Sequence, residues 1–112
     1  MKYFIAIIKP FKLDDVRNAL TEIGVEGLTA SEVRGFGRQR GQDGQNDAQD
    51  YQDEFHAKIK IEIIVEDSIV EKAISSIKNA AYSGKIGDGK IFVSTIDQVL
   101  RIRTGEKDSD AV

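Results

Sequence analysis

The stretch Lys58-Ile59-Lys60-Ile61-Glu62-Ile63-Ile64-Val65 alternates charged and apolar residues over most of its length. Successive side chains of a β-strand point to opposite faces. The pattern therefore predicts a strand with Ile59, Ile61, Ile63 and Val65 on one face and Lys58, Lys60 and Glu62 on the other. Lysine and glutamate are rarely fully buried without partners. The charged face is thus either solvated or the lining of a site. The neighbouring run Tyr3–Ile8 favours a site, because six apolar residues in a row predict a central strand covered on both faces.

Working outward, Leu13, Val16, Leu20 and Ile23 recur at helical spacing after Lys9-Pro10. Asp14 and Asp15 stand in the first turn, where the helix dipole favours acids, and Gly24 supplies a stop. Leu28–Arg34 reads as a second strand. Beyond Val65, Ser68-Ile69-Val70-Glu71 has the form of a capping box. The helix it opens should turn Val70, Ala73, Ile74, Ile77 and Ala81 inward and end at Gly84. Ile91–Ser94 reads as a further strand, Val99–Arg103 as a short fifth one, and Thr104–Val112 as a polar, mobile C-terminal tail. The order predicts an α+β chain, a ferredoxin-like split β-α-β repeat (βαββαβ) with an extra short C-terminal strand, in one domain spanning residues 1–112. A doubly wound parallel sheet would need more strand–helix alternation than this chain supplies. Helices should cover one face of the sheet and leave the other to water or a partner.

Bulk properties narrow the function. The 112 residues carry a formal charge of −3 and no cysteine. That balance gives no electrostatic footprint for nucleic acid. Without cysteine there are no disulfides, thiolate zinc sites or cysteine nucleophiles. The apolar run Tyr3–Ile8 is too short to insert in a membrane, and a cytoplasmic location is expected.

Four further features bear on chemistry. Gly84-Lys-Ile-Gly-Asp-Gly-Lys90 fits the letters of a phosphate loop. However, Ile91 replaces the Mg²⁺-binding hydroxyl, and the loop runs from helix to strand, the reverse of a P-loop. Its glycines let backbone N–H groups approach an anion, and equally suit a plain turn. Arg101 and Arg103, two apart, would share one face of a strand and suit a polyphosphate or carboxylate, or stand as ordinary surface charge. His56, the single histidine, has no catalytic helpers nearby in sequence and reads as a surface residue. Gly35–Phe55 holds no Leu, Ile, Val or Met between two predicted strands, which marks a functional loop, a disordered one or a faulty strand assignment.

Taken together, five ordered blocks resemble the PII nitrogen-regulatory signal proteins. They are Ile7–Arg17, Gly35–Gly41, Lys58–Glu62, Gly84–Val93 and Arg101–Glu106, and the likeness spans nearly the whole chain. The resemblance implies a homotrimer with ligand sites in the clefts between subunits. Each would bind ATP or ADP and, with Mg²⁺-ATP, 2-oxoglutarate. Carried over by position, Gly37, Arg38, Gly87, Asp88, Gly89 and Lys90 would form the phosphate end of the nucleotide site. Arg101 and Arg103 would reach it from the adjacent subunit, and Thr29, Glu62 and Ile64 would surround the adenine. Gln39 would complete the Mg²⁺ shell, and Gln39, Gly41, Lys58 and Gly87 would hold 2-oxoglutarate.

Residues 37–55 would be the T-loop, a flexible effector arm that meets a nitrogen-metabolism enzyme, a kinase or a membrane transporter. Tyr51 stands where some bacterial members are uridylylated. Asp47 stands where transporter-binding members carry a basic residue that plugs an ammonium channel, so the charge is reversed. Residues 42–55 hold Asp43, Asp47, Asp50, Asp53 and Glu54 but no Lys or Arg. Such a segment should order only on binding. The expected role is that of a non-enzymatic sensor. The alternatives are a paralogue with another target and a weak nucleotide hydrolase with Asp88 as its general base.

Overall fold

The fold is that of a computed structural model, in which residues 1–37 and 55–112 are described. Its elements run β1 (Lys2–Ile8), α1 (Leu13–Glu22), β2 (Thr29–Gly35), β3 (His56–Val65), α2 (Val70–Ala81) and β4 (Lys90–Thr95). The strands form one four-stranded sheet in the order β2-β3-β1-β4. Every neighbouring pair is antiparallel. The two strand-helix-strand units therefore interleave, with β1 and β3 side by side at the centre. The architecture is α+β, with two α-helices among the described residues.

The period-two pattern of β3 sets the core. Ile59, Ile61, Ile63 and Val65 are buried, and they face Ile8, Ala6, Phe4 and Lys2 of β1 in register. Val16 and Leu20 of α1 and Ala73, Ile77 and Ala81 of α2 close over this face, while Leu13, Ile23, Val70 and Ile74 pack at its margin. Each full burial of such an aliphatic side chain contributes about 1.5–3 kcal/mol.

β1 differs from its expected burial on both faces. Phe4, Ala6 and Ile8 are buried, whereas Tyr3, Ile5 and Ile7 on the opposite face are only half-buried. Both helices lie on the first face. Among the described residues no helix crosses the second, where Phe92 of β4 is 51% exposed.

Local chemistry explains the element ends, with three corrections. Gly24 takes φ 92° and donates to the Thr21 carbonyl, ending α1 as its position implied. The capping box does not form. Residues Asp67–Ile69 make a 3-10 turn into α2, and no side chain caps the helix. The Ile69 N–H bonds the Glu66 carbonyl instead, and the Asp67 carboxylate pairs with the Met1 ammonium at 2.8 Å. The fifth strand at Val99–Arg103 is also absent. Only Leu100 bridges, to Lys107, because the chain doubles back on itself. Gly105 N–H bonds the Arg101 carbonyl at 2.8 Å, and Arg101 N–H bonds that of Glu106 at 2.9 Å. The Arg101 N–H and carbonyl, which a ladder would have used, are thus satisfied within a turn. Finally, the segment expected as a loose tail folds back. Asp108 N–H bonds the Val99 carbonyl, and Asp108–Ala111 form a 3-10 helix.

Candidate ligand site on the open face of the sheet

The face without helices carries the charged residues of β3. Lys58, Lys60, Glu62 and Ile64 share it by parity. Register adds Thr29, Ser31 and Val33 from β2, Tyr3, Ile5 and Ile7 from β1, and Lys90 and Phe92 from β4. At about 3.3 Å per residue, Lys58 and Glu62 lie roughly 13 Å apart along one strand. Of the predicted site residues, Lys58 and Gly87–Lys90 lie toward one end, and Thr29, Glu62 and Ile64 toward the other.

The first end is built from a loop and a buried cation. Lys58 is 7% exposed, and its Nζ donates to the Gly87 carbonyl at 2.6 Å. Gly35, across the ladder, admits the lysine stem, since a Cβ there would stand 3.3 Å from Lys58 Cγ. Burial lowers the Lys58 pKa, and the like charge of Lys9 adds to this while Asp88 opposes it. The loop between α2 and β4 is organised from within by Asp88. Its carboxylate accepts from the N–H groups of Ser83 at 2.8 Å and Gly84 at 2.9 Å, and from the Ser83 hydroxyl. It also pairs with Lys9 at 3.2 Å. Desolvation pushes the Asp88 pKa up, but the bonds from Ser83, Lys9 and Gly84 outweigh it and hold the carboxyl well below the usual carboxylate range. A general base acting near neutral pH needs the opposite shift and an uncommitted lone pair. As placed here, Asp88 shapes the loop.

The glycines proposed for the site divide by role. Gly87 and Gly89 have φ of 98° and 102°, which L-residues rarely adopt. A Cβ on Gly89 would fall 1.6 Å from the Ile7 carbonyl oxygen, so this glycine lets the start of β4 press against the end of β1. At Gly37 a Cβ would meet nothing within 4 Å. Beyond it, Phe36 and Phe55 stack at 5.4 Å between centroids and bring together the two strands that flank residues 38–54. Arg38, Gln39, Gly41 and Tyr51, with Asp47 and most of the expected effector arm, lie outside the described residues.

The second end is a cavity of about 770 Å³. Thr29, Glu62 and Ile64, singled out together in the sequence, all line it, joined by Tyr3, Val99 and Val112. That volume is in the range of small-molecule sites. Across the ladder Thr29 faces Glu62 directly. The Tyr3 hydroxyl donates a hydrogen bond to Glu62.

Arg101 and Arg103 do not join the glycine loop within the chain. β4 begins with Lys90 beside Ile7 and ends with Thr95 beside Lys2, so the segment after it leaves from the far end of the sheet. Arg101 pairs with Glu106 at 3.5 Å, and Ile102 between the two arginines is 95% exposed. Sequence reasoning missed Tyr3, Lys9 and Ser83. Their only signals were a hydroxyl heading an apolar run and polar residues flanking the predicted strand and loop. Among the described residues, no three His, Asp or Glu side chains are grouped to hold a metal, and no helix is long and apolar enough to cross a membrane.

Comparison with known proteins places this geometry in context. The sequence model of the family described as nitrogen regulatory protein P-II matches residues 1–106. The chain is 54% identical over all 112 residues to the nitrogen regulatory protein P-II of Azospirillum brasilense. It is 54% identical, again over the full length of both chains, to nitrogen regulatory protein P-II 1 of Escherichia coli K12. Among solved structures, that of Arabidopsis thaliana PII bound to citrate superposes with a TM-score of 0.83 at 40% identity. The match covers 99% of this chain and 91% of that one.

Proposed function

The chain belongs to the nitrogen regulatory protein P-II family, and from that premise we propose that it is a sensor of ATP against ADP and of 2-oxoglutarate. On this reading it works as a homotrimer of ferredoxin-like subunits in the cytoplasm. It reports through the T-loop, residues 37–55, to a nitrogen-metabolism enzyme, a kinase or a membrane transporter, and catalyses no reaction of its own.

The observation that carries the reading is the layout of β3. One strand face holds Lys58 against the Gly87 loop at one end and Glu62 and Ile64 in a cavity at the other. An extended nucleotide has the length to lie along such a stripe, with its base in the cavity and its phosphates at the loop. Lys90 and the loop N–H groups oppose phosphate charge there. Arg101 and Arg103 sit away from that loop in their own chain, which favours their delivery from a neighbouring subunit. The half-buried Ile5 and Ile7 and the exposed Phe92 on the open face supply an apolar surface for such neighbours. Mg²⁺ would arrive with the phosphates, since it takes few protein ligands in nucleotide sites, and Gln39 is the residue that would complete its shell.

Lys58 is the candidate partner for a 2-oxoglutarate carboxylate. Its charge is disfavoured by burial, so an anion relieves a standing cost. The related Arabidopsis protein holds citrate, itself a polycarboxylate. A keto acid that chelates Mg²⁺ should bind only after Mg²⁺-ATP, and by reciprocity it should tighten ATP in turn. Calorimetric titration of 2-oxoglutarate with and without Mg²⁺-ATP tests this. Equal affinity in both would sink the sensing mechanism.

A second reading keeps the sensor and changes the target. The acidic run from Asp43 to Glu54, with Asp47 in place of a base, favours a partner surface that is basic. Partner capture under ATP plus 2-oxoglutarate, against ADP, separates an ammonium transporter from another target.

A further inference from the structure

Glu62 does not stand alone in the cavity. The Tyr3 hydroxyl donates to its Oε2. Tyr3 lies opposite Ile64 in the β1–β3 ladder, and Glu62 is two residues along on the same face, a diagonal that aromatic side chains can span. Both line the cavity with Thr29 and Ile64. An ionised carboxylate is an acceptor only, and a glutamate on three free torsions can swing it toward or away from a ligand. Here one oxygen is tied down, and no described residue donates to the other. The hydrogen bond to Glu62 is the main cause that raises the phenol pKa, followed by desolvation and the carboxylate's charge, so Tyr3 remains a donor at neutral pH.

We infer that Tyr3 is a positioning residue that sets base selectivity, fixing Glu62 so that Oε1 accepts from the amino group of a 6-aminopurine and repels the 6-oxo group of guanine. The inference rests on the nucleotide-sensing reading above. A fixed acceptor gives up a hydrogen bond, and gains lone-pair repulsion, when the amino group is replaced by oxygen; a mobile one can turn away. Phenylalanine at position 3 would keep the ring in the cavity wall and free the carboxylate.

The test is calorimetric titration of ATP and GTP, each with Mg²⁺, into the parent protein and Tyr3→Phe. The parent should prefer ATP. In Tyr3→Phe the ATP affinity should fall about threefold to tenfold, the scale of one lost orienting hydrogen bond, with GTP unchanged or tighter, so the ratio shrinks. An unchanged ATP-to-GTP ratio in a variant that still binds ATP overturns the role of Tyr3 and leaves nucleotide sensing intact. A parent that binds neither nucleotide overturns both. Spectrophotometric titration of the phenols needs no ligand and no change at Tyr3. Glu62→Gln removes the charge and should lower one tyrosine pKa relative to the parent; no such lowering overturns the pairing itself.

Discussion

The two ends of the open sheet face are specified in different ways. The loop end is shaped chiefly by one short segment: Ser83, Gly84, Gly87, Asp88 and Gly89 fall within seven positions, and Asp88 binds Ser83 and Gly84, while Lys9, Lys58 and the Ile7 carbonyl meet the segment from outside. The cavity end is assembled from Tyr3 of β1, Thr29 of β2 and Glu62 and Ile64 of β3, which only the sheet register brings together. A local device should fail by losing its shape, and a non-local one by losing selectivity while the fold survives.

The sharpest way to break that contrast is at the loop. Gly89→Ala would put a methyl 1.6 Å from the Ile7 carbonyl oxygen at φ 102°. Backbone must move on two strands at once, and a loss of about 3–5 kcal/mol is expected in urea unfolding. Gly37→Ala, with open space at its Cβ, should stay within about 0.5 kcal/mol. If both glycines tolerate alanine equally, the loop is not held by the close approach of β4 to β1.

Asp88→Ala comes next. It removes the acceptor for two backbone N–H groups, the Ser83 hydroxyl and Lys9, for a loss of about 1–3 kcal/mol at neutral pH. The folded pKa lies below the unfolded one. The contribution is therefore fully present above the ordinary Asp range and is lost as pH falls through the depressed folded value. Parent and variant stabilities should converge in acid, as chemical denaturation at several pH values would reveal. A gap that persists unchanged into strong acid would mean that packing, not the carboxylate charge, was lost.

The same contrast explains what could be read from sequence. The alternation of β3, the run of β1 and the helical stripes of α1 and α2 are local patterns, and each places its element to within a residue or two. The glycine loop was visible as a cluster, although its internal reason, Asp88 as the hub for Ser83, Gly84 and Lys9, was not. Resemblance grouped Thr29, Glu62 and Ile64 before any register was known, and the ladder puts them on one cavity. Tyr3 was out of reach because its parity with Glu62 exists only once β1 and β3 are paired. The fifth strand failed for a related reason. Val99 to Arg103 has strand-like composition, but Gly105 turns the chain, and the Arg101 carbonyl and N–H are taken by Gly105 and Glu106.

Lys58 belongs to the loop end, on the strand that also carries Glu62, and it gives the smallest expected effect. Its ammonium is buried beside Lys9, so the folded protein binds that proton less well than the unfolded chain, whose lysine titrates near 10.5. In the alkaline window between the lowered value and 10.5, the unfolded state carries more protons, and stability owed to this residue rises with pH. Below that window the desolvation penalty is complete, offset in part by the bond to Gly87. Lys58→Met keeps the stem and removes the titration. The stability of the parent relative to Lys58→Met should therefore climb through the alkaline range, measured by urea unfolding at stepped pH. A flat difference would show that Lys58 is solvated in the folded state. A carboxylate bound at Lys58 supplies the counter-charge that burial withholds. With 2-oxoglutarate and Mg²⁺-ATP present, the lysine pKa should return toward its ordinary value and the climb should flatten, so the same measurement with ligand separates a lysine poised for an anion from one that only braces the loop.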